Sequence, residues 1–91
     1  MKFQNLKISI TDEVHLKAVC DVLESMGYKN KQFDFPIENH RDIKQFKSVA
    51  CYQSGGYSVY KLGVEWINFC EPATLTDLLK MRDKAFKEGL K

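Results

Sequence analysis

Apolar residues recur at two spacings along this chain, and each change of spacing marks a new element. Leu6, Ile8 and Ile10 alternate with Lys7 and Ser9, the period of a strand with one buried face. Leu16, Val19, Cys20, Leu23 and Met26 then follow helical spacing and predict a helix running to about Met26. Thr11 offers a side-chain oxygen as its cap, and Asp12 and Glu13 suit the positive end of the helix dipole. Gly27 is the residue that most easily turns left-handed after a helix. Tyr28 is then placed to pack back on Leu23 in a Schellman ending.

The middle of the chain predicts strands. Phe33, Phe35 and Ile37 alternate, and Pro36 removes one backbone donor, so this short strand belongs at a sheet edge. Residues 38–42 form a polar loop, and Ile43 and Phe46 lead into the next strand. Two strands, 47–53 and 57–62, flank Ser54-Gly55-Gly56. Both central positions of a type I′ turn need positive φ, so Gly55-Gly56 predicts a two-residue hairpin loop. That loop sets Tyr52 opposite Val59, Cys51 opposite Tyr60 and Val49 opposite Leu62. One face then carries Val49, Cys51, Tyr60 and Leu62, and the other carries Tyr52, Tyr57 and Val59 beside Ala50 and Lys61. Gly63 allows another turn, and Val64 to Phe69 completes a meander with apolar residues on both faces. Glu71-Pro72 ends the sheet.

Thr74 and Asp77 are spaced as a capping box for a last helix. Leu75, Leu78, Leu79, Arg82, Ala85 and Phe86 make its inner stripe; Lys80, Lys84, Lys87 and Lys91 lie largely on its solvent side. The expected architecture is one α+β domain over residues 1–91, ordered β-α-β-β-β-β-α. Its sheet is mainly antiparallel, of about four to five strands, with two helices on one face.

Composition narrows the function. The chain has 91 residues, 44% of them apolar, enough for one core but not for a deep protein-walled cavity as well. A site would be shallow or shared between subunits, and homo-oligomerisation is a common route to more buried area at this size. The net charge is only +2, with lysines and acids interleaved, which argues against a nucleic-acid binder. Cys20, Cys51 and Cys70 form no Cys-x-x-Cys pair and sit in apolar stretches, so they read as buried thiols of a reducing compartment. The N-terminal residues lack an apolar signal core, and no apolar run reaches membrane-spanning length. A cytoplasmic protein without a membrane partner is expected.

Catalytic chemistry finds little footing. His15 shares its helix face with no other histidine or cysteine, and His40 lies in a loop near Asp42. Joining His40 to Cys51 or Cys70 would require the fold to do it. The Gly55-Gly56 turn lies between strands rather than opening a helix, so it is no phosphate cradle. No catalytic residue, cofactor or metal is expected, and the chain reads as a binder rather than an enzyme. Its candidate surface is an aromatic patch of Tyr52 and Tyr57, with Trp66 or Val59 beside them, on the outer face of the meander. Arg41, Lys44 and Lys47 precede the hairpin and offer positive charge to a phosphate or carboxylate.

The stretches Leu23-Glu24-Ser25-Met26-Gly27-Tyr28 and Thr74-Leu75-Thr76-Asp77-Leu78-Leu79, with an aromatic hairpin between them, resemble small proteins encoded by phages and prophages. Where such proteins often carry an aromatic soon after the Gly-Tyr, this chain has Lys29-Asn30-Lys31-Gln32. The resemblance implies an accessory role in infection, in the host cytoplasm: stoichiometric binding that inhibits a host enzyme or defence system. Two alternatives stand beside it. One is an oligomeric sponge for a nucleotide messenger, and the other is weak nucleic-acid binding.

Overall fold

A computed structural model describes residues 3–89, and within them the order is β1 (Leu6–Ser9), α1 (Glu13–Ser25), β2 (Lys29–Asn30), β3 (Ser48–Cys51), β4 (Gly56–Tyr60), β5 (Glu71–Ala73) and α2 (Leu75–Gly89). Met1, Lys2, Leu90 and Lys91, the last of them expected on the solvent side of the final helix, lie outside the described residues. The α+β class and the element order are as expected. The five strands lie side by side as β2-β4-β3-β1-β5. The sheet is mixed rather than mainly antiparallel, because β1–β3 and β3–β4 are antiparallel while β1–β5 and β2–β4 are parallel.

Two of the expected strands are replaced by others. Phe33, Phe35 and Ile37 form no strand; the strand before them is Lys29–Asn30, and a 3-10 turn over Ile37–Asn39 follows Pro36. Gln32 explains why the sheet edge stops there. Its side-chain amide receives the Val59 N–H at 2.9 Å and donates to the Val59 carbonyl at 2.9 Å, doing for β4 what another strand residue would. Phe33 and Phe35 stack with centroids 4.7 Å apart instead of pointing to opposite sides. Val64 to Phe69 is likewise not a strand: Val64–Trp66 is a 3-10 turn. The last strand is Glu71–Ala73, the stretch expected to end the sheet. Pro72 is tolerated there because β5 is an edge, bonded on one side only.

Helix ends follow local chemistry. Asp12, not Thr11, caps α1, its carboxylate accepting the His15 N–H at 2.7 Å. At the other end Gly27 has φ +101°, the Tyr28 N–H reaches the Leu23 carbonyl and the Gly27 N–H reaches that of Glu24, a complete Schellman ending. Thr74 and Asp77 exchange side-chain-to-backbone bonds of 3.0 and 3.2 Å, the expected capping box of α2.

Both helices cover one side of the sheet. Leu16, Val19, Cys20 and Leu23 of α1 and Leu78 of α2 bury against Ile8, Val49, Cys51, Tyr57 and Val59. Phe86, expected on the inner stripe, is 54% exposed.

Candidate functional site

The hairpin register decides which aromatic rings face the helices. The Gly55 N–H donates to the Tyr52 carbonyl and the Tyr52 N–H to the Gly56 carbonyl, closing a three-residue loop of Gln53, Ser54 and Gly55. Gly55 takes φ +92°, and Gly56 is not in the left-handed region, so the loop is a turn followed by a glycine bulge and not type I′. Cys51 therefore pairs with Tyr57, Val49 with Val59 and Ser48 with Tyr60. This is three residues away from the expected register. An odd slip turns one strand over relative to the other.

Tyr57 and Val59 consequently face the helices. Tyr57 is 1% exposed, its hydroxyl donates to the Glu24 carboxylate, and burial holds that hydroxyl well above the ordinary phenol range. The expectation of Tyr57 on the outer face is overturned. Tyr60 takes its place there.

The reverse face is built from Tyr52, Tyr60 and the segment between β4 and β5. Ile67 and Cys70 bury against Ala50 at the centre of the sheet, with Tyr52 and Tyr60 packed around them. Ser48 is fully buried and donates its hydroxyl to the Leu62 carbonyl at 2.7 Å, and Lys7 donates to the Ile67 carbonyl at 2.7 Å. These two bonds tie the 61–70 segment down. The hydroxyls of Tyr52 and Tyr60 are hydrogen-bonded to each other across the sheet. Burial first, then this bond, raises the pKa of Tyr52.

Outside this small core lies an aromatic surface. Trp66 meets the Tyr60 ring edge-on at 4.9 Å, and Phe69 stacks on Tyr52 at 6.0 Å. Trp66 is 45% exposed, Phe69 63% and Leu62 64%. Such rings at the surface of so small a chain are the kind that anchor interfaces. Tyr52 and Trp66 thus occupy the expected patch, while Tyr60, Phe69 and Leu62 were missed. The cue for Tyr60 was the bulge-forming Gly55. The cue for Phe69 was Glu65-Trp66-Ile67-Asn68-Phe69, which fits a single buried Ile67 between exposed neighbours as well as it fits a strand.

The three cations do not join the patch. Arg41 and Lys44 are exposed on the 37–46 segment, whose Ile37, Ile43 and Phe46 pack into the helix-side core. Lys47 precedes Ser48, and strand alternation puts Ser48 rather than Lys47 on the Tyr60 side. Of the polar residues near them, Asp42 is held low by the Lys61 ammonium, which it meets at 3.0 Å.

The thiols and histidines are occupied separately. Burial raises the Cys20 thiol to about 12 and pushes Cys51 and Cys70 up as well. Such thiols are poor nucleophiles near neutrality. The His40 ring lies among Phe33, Phe35 and Phe46, with its Nδ1 accepting the Asp42 N–H at 3.0 Å. Among the described residues no group of three or more His, Cys, Asp or Glu is placed to hold a metal ion, and no helix is long and apolar enough to cross a membrane.

No protein-family model matches this sequence. Comparison with curated proteins and with solved structures finds no significant match. The stretches Leu23–Tyr28 and Thr74–Leu79 serve as a helix cap and core: Leu23, Tyr28 and Leu78 are all buried.

Proposed function

We propose that this chain is a non-enzymatic binding protein that engages a protein partner through the reverse face of its sheet. The observation that carries the reading is the ring cluster of Tyr52, Tyr60, Trp66 and Phe69, flanked by exposed Leu62, on the side that neither helix covers. Trp and Tyr supply large rigid contact area at little entropy, which is why they concentrate the energy of interfaces. The resemblance to phage accessory proteins supplies the partner class: a host enzyme or defence component, bound one to one in the host cytoplasm and inhibited by occlusion.

A nucleotide sponge fits this surface less well. Its rings already pack in pairs, Tyr60 with Trp66 and Tyr52 with Phe69. Arg41 and Lys44, which would take the phosphates, belong to the layer on the helix side.

The test uses immobilised chain against lysate of the host. A single protein retained at near-stoichiometric yield, and lost from a Trp66→Ala/Phe69→Ala variant that keeps its melting temperature, is the expected result. Equal recovery on both proteins would overturn the reading. Trp66 is the only tryptophan, so its emission should shift to the blue when the purified partner is added.

A further inference from the structure

The helix side of the molecule carries a second open surface. Two adjoining cavities, of about 490 and 440 Å³, share Asp21 and Glu38 on their walls and run as one groove beside α1. At 13 residues, α1 offers this groove a bank about 20 Å long.

The floor is apolar. Val14 and Ala18 lie four residues apart on one bank, and Ile43, Ile37, Phe33 and Phe35 form the other. Val14 is 76% exposed and Phe35 44%. The rim is acidic: Glu13, Asp21, Glu24, Asp34 and Glu38 stand against only Lys17 and Lys29. Lys17 is already paired with Asp21 at 2.9 Å. Five carboxylates against two ammonium groups leave the groove at minus three, in a chain whose net charge is +2. The groove is therefore net negative, while the remainder of the chain, though it carries other carboxylates, is net positive.

We infer that this groove docks a basic amphipathic segment of a protein partner, one whose apolar side chains lie on Val14, Ala18, Ile43 and Phe35 while its lysines or arginines meet Asp34, Glu38 and Glu13. Charge complementarity selects this occupant. A nucleic acid or an acidic segment would be repelled by the rim, and an uncharged apolar one would leave the carboxylates without partners. The carboxylates are strung along the groove and do not converge, which suits cations spaced along a chain. The surface is distinct from the aromatic face, so the inference does not depend on the function proposed above.

The probe is a synthetic amphipathic peptide of leucine, alanine and lysine, with a counterpart in which glutamate replaces lysine, both titrated by calorimetry into the full chain. Binding of the lysine peptide alone is expected, and it should weaken as salt is raised. Asp34→Lys/Glu38→Lys should reduce the affinity by roughly tenfold or more, while Trp66→Ala/Phe69→Ala leaves it unchanged. Asp34→Asn/Glu38→Gln, which removes the two charges without reversing them, repeats the test if the charge reversal unfolds the chain. The inference is overturned if the lysine peptide does not bind at low salt, or if it binds the charge-reversed protein equally well. It is also overturned if the chain alone forms a dimer that the reversal dissolves, since the occupant would then be a second copy.

Discussion

Tyr57 and Phe69 are both aromatic residues next to the meander, yet the structure assigns them opposite energetic roles. Tyr57 is 1% exposed and packed beneath α1, with its hydroxyl on Glu24. Phe69 is 63% exposed on the reverse face. Truncating a buried aromatic to alanine removes its transfer energy and leaves a cavity, typically about 3–5 kcal/mol. Truncating Phe69 forfeits only the third or so of its surface that is covered, on the order of 0.5–1 kcal/mol. Urea unfolding followed by far-UV circular dichroism separates the two. With a slope of about 1.5 kcal/mol per molar, Tyr57→Ala should lower the midpoint by roughly 2–3 M and Phe69→Ala by well under 1 M. Equal losses in the two variants, with unchanged slope, would mean that the register and the assignment of faces are wrong. The aromatic contact surface would go with them.

Three further outcomes follow from other parts of the molecule. Gly55→Ala places a Cβ at φ +92°, 3.0 Å from the Phe3 ring, and should cost about 1–3 kcal/mol, read as a fall in Tm of roughly 5–15 °C; a Tm within a degree of wild type would contradict the bulged turn. Ser48→Ala removes the bond to the Leu62 carbonyl, about 1 kcal/mol, and should speed hydrogen exchange at the Ile67 amide, whereas unchanged exchange there would show that the 61–70 segment is anchored otherwise. Burial raises the Cys20 thiol from 9.0 to about 12 and the Tyr28 hydroxyl from 10.0 to about 12, so folding favours their protonated forms. That contribution is intact below pH 9 and drains away as pH climbs toward 12, so Tm should fall steadily over that window; a flat Tm up to pH 11 would refute it.

Much of the fold was legible because the signals are local. A left-handed Gly27, a capping pair at Thr74 and Asp77, and helical spacing from Leu16 to Met26 are each satisfied within a few residues. The candidate surface was legible only in part. Strand alternation with a two-residue loop assigns Tyr52 and Trp66 to it, but it also puts Tyr57 there, which the structure buries, and leaves out Tyr60 and Phe69. A two-residue and a three-residue loop both suit Ser54-Gly55-Gly56, and the choice between them turns on whether Gly55 alone takes positive φ. That choice rests on the packing of Tyr57 under α1 and of Phe3 over Gly55, contacts between distant parts of the chain.

Periodicity and local caps thus suffice for the class, the two helices, the Schellman end of α1, the capping box of α2 and the first strand, but not for the choice of Asp12 over Thr11 as the cap of α1. Those depend on periodicity and caps, which neighbouring residues satisfy among themselves. Tertiary structure alone decided the sheet's order, the parallel pairing of β5 with β1, and which rings reach solvent. Strand partners are chosen by long-range burial and hydrogen bonding, and Glu71-Pro72-Ala73 carries no local mark of the strand it becomes beside Leu6–Ile8.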